Sequence, residues 1–475
     1  MKDVSMVVGG ESVLAAKTIE NLDPSTAETL CLVSDASADE VGSAIGAAVD
    51  AAPAWAFQTP AERGRLLRAL AEKIREQADE LARLETLDTG KPLSQGSSDI
   101  QVAARYFEYY GCTVEAFQGT TIPLGKDALA LTEDVPFGVT GHIIPWNYPA
   151  QITARSIAPA LAVGNAIVVK PAEIAPITPV RIAELALEVG FPAGVFNIVP
   201  GVGPIAGSAL VEDHRVGHVS FTGSVATGRA VAAACAARGR PSTLELGGKS
   251  PHVVLPGADL ETVAPRILAT LIQNAGQTCV AGTLGIVHSS LHAELIERLA
   301  ALVAEVEIGA GIDDPDLGPV ISRKQLERVE GFVSRASDSG SAPVISQEAP
   351  AGLTGFFIGT QVFDEIDLDG ELAQSEVFGP VLGISRFDTE EEAVAKANAT
   401  SYGLTAAVWA GDMTMALRVA RSIEAGQVYL NGYAAGGGVE LPFGGFKDSG
   451  FGREKGLAAL RECTQTRTLM LRSGK

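Results

Sequence analysis

Cys279 closes the run Asn274-Ala275-Gly276-Gln277-Thr278-Cys279, a small, polar stretch that follows an apolar helical segment at 263–272. A buried structural cysteine needs no such setting. A nucleophilic one does, because its sulfur must be open on one side and lie near groups that favour the thiolate. Upstream, Leu244-Glu245-Leu246-Gly247-Gly248-Lys249 sets an acid at the end of an apolar, strand-like run. Still earlier, Pro145-Trp146-Asn147-Tyr148-Pro149 sets an amide in a turn. Thiol, carboxylate and amide would supply a nucleophile, a base and an oxyanion donor, the parts of an acyl-transfer site.

The elements that must position these groups follow from the hydrophobic spacing. Residues 37–56 and 60–89 read as helices, the second with Leu66, Leu67, Leu70, Ile74, Leu81 and Leu84 at helical intervals. A third helix at 99–116 carries Tyr106, Phe107, Tyr109 and Tyr110, read as packing rather than as a ligand box. Residues 120–132 read as a hairpin that cannot bury both faces alone, which suggests a partner subunit. From Gly138 onward, short apolar strands at 141–144, 166–170, 195–199, 216–222 and 242–246 alternate with helices. Strands at 251–255 and 285–288 continue the pattern, with helices reaching Ile272, at 292–306 and at 317–341. Residues 457–463 and 466–471 form a tail, the latter strand-like. Strand–helix alternation of this kind predicts doubly wound parallel sheets.

Composition narrows the function classes. The chain has 475 residues, 46% of them hydrophobic, enough for two or three domains. Its formal charge of −21 should repel nucleic acid and anionic membrane surfaces. Five scattered cysteines form no Cys-x-x-Cys, so neither a disulfide framework nor a zinc site is expected, and a reducing compartment fits. His288 and His292 lie four apart without the glutamate of a zinc-protease helix, and read as a strand end followed by a helix start. No metal is expected. No signal-like segment or membrane-spanning run is visible, so the expected location is the cytoplasm.

A cofactor site is expected at the carboxyl ends of the strands. Gly223-Ser224 opens a helix whose free N–H groups would favour a pyrophosphate. Gly201-x-Gly203-x-x-x-Gly207 is a second glycine turn; either could equally be ordinary turn punctuation. Lys170 and Glu173 sit just past an apolar strand. They could bond ribose hydroxyls, with the acid disfavouring a 2′-phosphate, or form a surface ion pair.

In these segments, and in 376–380 and 442–454, the chain resembles the NAD(P)-dependent aldehyde dehydrogenase superfamily over nearly its whole length. The resemblance implies an α/β fold with two doubly wound parallel-sheet domains and a small β oligomerisation element. Residues 1–117 and 136–246 would bind NAD, 247–448 would form the catalytic domain, and 118–135 with 456–475 the oligomerisation element. It implies Cys279 as nucleophile, Glu245 as general base and Asn147 as oxyanion donor. Ile144, Trp146, Lys170, Glu173, Gly203, Gly223, Ser224, Glu376 and Phe378 would hold NAD, preferred over NADP. Glu454 would be a second acid and proton relay. Arg155 matches the position where succinic-semialdehyde members place an arginine for a substrate carboxylate; a structural ion pair is the other reading. Tyr433, Val439 and Glu440 are expected near the substrate tunnel. The implied reaction is oxidation of a small-molecule aldehyde by a homo-oligomer. A CoA-acylating enzyme and a non-catalytic binding protein on the same fold are the alternatives.

Overall fold

The computed structural model describes residues 2–340, 342–433 and 438–472. Two mainly parallel sheets carry the chain. The first has eight strands in the order Gly450–Phe451, Ser242–Glu245, His218–Thr222, Val139–Ile143, Ala166–Lys170, Phe196–Ile198, Met6–Val8 and Glu11–Val13. Its five central strands run parallel and the edges antiparallel. Ala166–Lys170 and His218–Thr222 are buried at every residue, as expected of parallel strands covered by helices on both faces. Strand order reverses between Val139–Ile143 and His218–Thr222, which opens a crevice at the carboxyl ends of the strands.

The second sheet orders Ile345–Ser346, Gln361–Phe363, Val381–Phe387, Leu284–His288, Pro251–Val254, Thr405–Trp409 and Gln427–Leu430. All its pairs are parallel except the first. The hairpin Thr121–Pro123/Ala128–Pro136 is extended by the C-terminal strand Thr464–Arg472, which pairs antiparallel from Thr464 opposite Pro136 to Arg472 opposite Ala128. Among the described residues no helix is long and apolar enough to cross a membrane.

Several predicted elements change in detail. The helix expected over 60–89 is two, Pro60–Glu76 and Ala78–Thr89, because Gln77 leaves helical geometry at φ −109°, ψ 20°. The polar helix expected over 317–341 is confined to Arg323–Asp338, capped by the Ser322 side chain. The first four strands, between Met6 and Ser34, were not anticipated. The aromatic group on Leu93–Thr113 is core: Tyr106, Phe107 and Tyr110 are buried. His288 caps the helix Ser289–Ala304 and His292 bonds Asp364 at 2.7 Å.

Candidate active site

Three consecutive left-handed residues deliver Cys279. Asn274, Ala275 and Gly276 have φ of 48°, 53° and 71°. For asparagine and alanine this conformation costs of order 1–3 kcal/mol each, so the surroundings must hold it. They do so with side-chain amides. Asn274 Nδ2 donates to the Asn147 carbonyl at 2.8 Å, and Gln277 Nε2 to the Asn274 carbonyl at 3.0 Å. The Asn274 N–H donates to Gln95 Oε1 at 2.8 Å. Gly276 is forced, since a Cβ there would lie 2.3 Å from the Gly379 carbonyl.

The turn bearing Asn147 is tied to the same loop from the other sheet. Asn147 Nδ2 donates to the Gln277 carbonyl at 3.0 Å, fixing the amide plane. The Asn147 carbonyl also accepts from Lys91 Nζ at 3.0 Å. Lys91 is fully buried between Glu85 and Asp99, at 3.2 and 2.5 Å. Thus Asn147 and Cys279, far apart in sequence, belong to one hydrogen-bonded unit.

Cys279 is partly exposed and lines two pockets. The larger, of about 290 Å³, includes Trp146, Asn147, Gly223, Ser224, Glu245, Glu376 and Phe378. The smaller, of about 30 Å³, includes Tyr148, Gln151, Arg155, Phe443 and Lys455. Burial pushes the thiol up to about 12, against the pull of Arg155. Glu245 ends the strand Ser242–Glu245 and is buried. Neither carboxyl oxygen has a hydrogen-bond partner within the described residues. Burial, and then the charge of Glu454, hold its pKa well above the ordinary carboxylate range. Such a carboxyl, once ionised, is a strong proton acceptor on the wall of the pocket that Cys279 also lines.

Of the predicted cofactor residues, Trp146, Gly223, Ser224, Glu376 and Phe378 gather in the larger pocket with Asn147 and Glu245. Ser224 caps the helix Val225–Ala236, whose first N–H groups face outward without helical partners. Glu376 accepts from the Gly248 N–H at 3.0 Å, and burial raises its pKa to about 7. Arg328 and Gln325 hold the carbonyls of Glu376 and Phe378. Gly203 lines a separate, more apolar pocket with Pro204, Phe221 and Val231. Lys170 and Glu173 form an ion pair at 3.1 Å, with Glu173 partly exposed. Neither residue lines these pockets, nor does Ile144, which packs in the core.

Arg155 is buried and lines the smaller pocket, ion-paired to Glu454. Burial is the largest single influence and disfavours its charged form, but Glu454, together with Tyr106, Glu245 and Cys279, raises the pKa. Glu454 also accepts from Ser220 Oγ at 3.1 Å. The expected tunnel residues do not line that pocket. Glu440 is exposed and paired with Arg105, Val439 is in the core, and Tyr433 is buried with its hydroxyl donating to the Val280 carbonyl. A surface arginine draws Glu440 outward. Lys455 is the residue the sequence reading passed over. It follows Glu454 in a glycine-rich turn and carries a left-handed backbone, φ 62° and ψ 169°. A lysine between Glu454 and Gly456 gave no motif of its own.

The chain is similar to known proteins over nearly its whole length. The aldehyde dehydrogenase family model matches residues 12–469. A betaine aldehyde dehydrogenase from Cereibacter sphaeroides is 40% identical over 95% of this chain and 93% of its own. A phenylacetaldehyde dehydrogenase from Pseudomonas fluorescens is 40% identical over 98% and 95%. The NAD+ complex of an aldehyde dehydrogenase from Bacillus cereus superposes with a TM-score of 0.97 at 38% identity, covering 99% of this chain and 96% of that one. With the match running through both sheets and the loops between them, the chain belongs to the aldehyde dehydrogenase family.

Proposed function

We propose that the protein oxidises an aldehyde to the carboxylic acid with NAD, through a covalent bond to Cys279. The observation that carries this is the position of Cys279 on the walls of both pockets, with the Asn147 amide locked to its loop. The aldehyde enters from the smaller pocket, the Cys279 thiol passes its proton to ionised Glu245, and the sulfur bonds the carbonyl carbon as the C=O π pair moves onto oxygen. The resulting oxyanion takes hydrogen bonds from the Cys279 N–H and from the second N–H of Asn147 Nδ2; one such donor contributes on the order of 3 kcal/mol to the transition state. NAD held in the larger pocket by Trp146, Glu376 and Phe378 would supply the hydride acceptor for that carbon. Glu245 then takes a proton from the water that cleaves the thioester on Sγ, and Glu454 relays protons away from it.

The larger pocket suits the nicotinamide end of the cofactor. Glu376 is placed for the adjacent ribose, Trp146 and Phe378 for the ring, and the Gly223–Ser224 helix start for the pyrophosphate. The Gly203 pocket suits the adenine end. Glu173, beside Lys170, supports a preference for NAD, since an acid there repels a 2′-phosphate. An acid-bearing semialdehyde is the substrate class we favour, with Arg155 in its pocket.

The two sheets support the division into an NAD-binding part (1–117 and 136–246) and a catalytic part (247–448). The sheet of Thr121–Pro123, Ala128–Pro136 and Thr464–Arg472 leaves Leu129, Leu469, Met470 and Leu471 exposed, which supports an oligomerisation element over 118–135 and 456–475 and a homo-oligomer. Five free cysteines support a reducing compartment, the cytoplasm.

The test is Cys279→Ala. NADH production should vanish while NAD still binds, read by quenching of tryptophan fluorescence. NADH formation at the wild-type rate would eliminate the covalent route.

A further inference from the structure

We propose that a buried file of side chains, Thr140, His142, Ser156 and Ser220, fixes the place of the Glu454 carboxylate, with His142 as a positioning residue for thioester hydrolysis. The proposal rests on the reading of Glu245 as the base and Glu454 as its relay, and deepens it.

The file draws on separate elements of the first sheet and its covering helix. Thr140 and His142 lie on the strand Val139–Ile143, Ser156 on the helix Pro149–Val163 and Ser220 on the strand His218–Thr222. His142 and Ser220 are directly paired across the sheet. All four are buried, as is Glu454. The links are continuous. Thr140 Oγ1 lies 2.8 Å from His142 Nε2, and His142 Nδ1 lies 2.8 Å from Ser156 Oγ. Ser156 Oγ is 3.1 Å from Ser220 Oγ, which is 3.1 Å from Glu454 Oε1.

Chemistry sets the direction of these bonds. A carboxylate only accepts, so Ser220 spends its one hydroxyl proton on Glu454. Ser156 spends its own on Ser220. The Ser156 oxygen is left to accept, so His142 carries its proton on Nδ1, and Nε2 accepts from Thr140. Every donor points toward the carboxylate, and bonds in such a row polarise one another. At the strand positions, valine or isoleucine would fill the core with no polar group to satisfy. A merely self-contained polar cluster would close on itself; this one ends on Glu454. Arg155 pairs with the other oxygen, Oε2. The carboxylate is therefore held at both oxygens, by a cation and by the file.

Its place matters to the base. After burial, the charge of Glu454 is the largest influence on Glu245; Arg155, Arg453 and Lys455 act against it. Cys279 lines the same pocket as Glu245. Glu454 is itself faced by Arg155, Lys455, Tyr106, Tyr110 and Cys463. Burial, and then His218, lower the His142 pKa to about 3, so the imidazole stays neutral and the row keeps its direction at neutral pH. A carboxylate released by Ser220 is free to turn on its remaining bond. Its charge then bears less on Glu245, which ionises at lower pH.

The experiment follows NADH production after the first turnover, as a measure of thioester hydrolysis, against pH, with the better of 4-oxobutanoate and pentanal. In the wild type the rate should rise along a limb as Glu245 ionises. Glu454→Gln should move that limb to lower pH by about one unit or more, as loss of a neighbouring like charge does. His142→Leu and Ser220→Ala should each move it the same way by about half a unit, roughly threefold in proton affinity. His142→Asn puts an amide N–H in the place of Nδ1–H and should keep the limb near that of the wild type. With Glu454→Gln already present, His142→Leu should add no shift. Ser220→Ala leaves the imidazole in the core and carries the test if His142→Leu does not fold. A limb unmoved by the file variants would reduce the file to core packing and overturn the proposal alone. So would a His142→Leu shift undiminished on the Glu454→Gln background. A limb that Glu454→Gln leaves in place would overturn the reading of Glu454 as well, and no NADH from either aldehyde would overturn the aldehyde reading beneath both.

Discussion

Glu245 lines the same pocket as Cys279, with two carboxyl oxygens unbonded within the described residues and a pKa held high by burial and by Glu454. Both features bear on the second half of the reaction. A raised pKa strengthens the base but requires it to be ionised first, so thioester hydrolysis should accelerate as pH rises through that value. Glu245→Gln cannot ionise. It should slow steady-state turnover by roughly 10²–10⁴, the usual contribution of a general base. It should also leave a stoichiometric burst of NADH and a flat pH profile. Rapid-quench measurement of the burst and the later steady rate checks this; unchanged turnover would remove Glu245 from the base's role. Asn147, Glu245 and Cys279 stand out in the sequence because each lies in a short stretch whose residue types have little other use. Lys455 does not, because its neighbours at the pocket, Phe443 and Cys279, come from other segments.

At the scale of elements, the loop before Cys279 is held in an unfavourable backbone shape by bonds to a turn of the other sheet. Gly276→Ala places a methyl group 2.3 Å from the Gly379 carbonyl, at a φ of 71°. It should lower stability by about 2 kcal/mol or more, seen as an earlier urea midpoint. It should also reduce the NADH burst, because the sulfur moves away from the Asn147 amide. A burst and midpoint like those of the wild type would show that the loop tolerates a side chain. The strands leading to the site were legible because burial on both faces makes them uninterrupted apolar runs, such as Ala166–Lys170. The break at Gln77 was hidden because Ile74 and Leu81 are seven residues apart, which keeps the helical phase across the kink. The early strands Thr18–Leu22 and Thr29–Ser34 alternate exposed and buried residues only partly, so they gave no clear period of two.

At the scale of the molecule, the three-stranded sheet leaves an apolar edge at Leu469, Met470 and Leu471, which are 39, 58 and 54% exposed. Such a strand invites pairing with another chain. Met470→Asp with Leu471→Asp should shift the protein to a smaller species in analytical ultracentrifugation. An unchanged sedimentation coefficient would argue against this edge as the contact. The hairpin half of this sheet is visible in the residues themselves, whereas its third strand is joined to it only through the family resemblance. That pairing joins residues 464–472 to 128–136, and no local pattern reports a contact over such a separation.

The strand Gly450–Phe451 returns from the second half of the chain to lie against Leu244 and Glu245. Glu454 and Lys455 follow at once and complete the floor around the sulfur. A chain emerging from the ribosome exposes its N-terminal parts first, so Asn147, Glu245 and Cys279 are all synthesised well before these closing residues. A nascent or C-terminally clipped polypeptide can therefore build much of both sheets and still lack a working centre. Chemical competence arrives only when the last turn of the backbone has folded home.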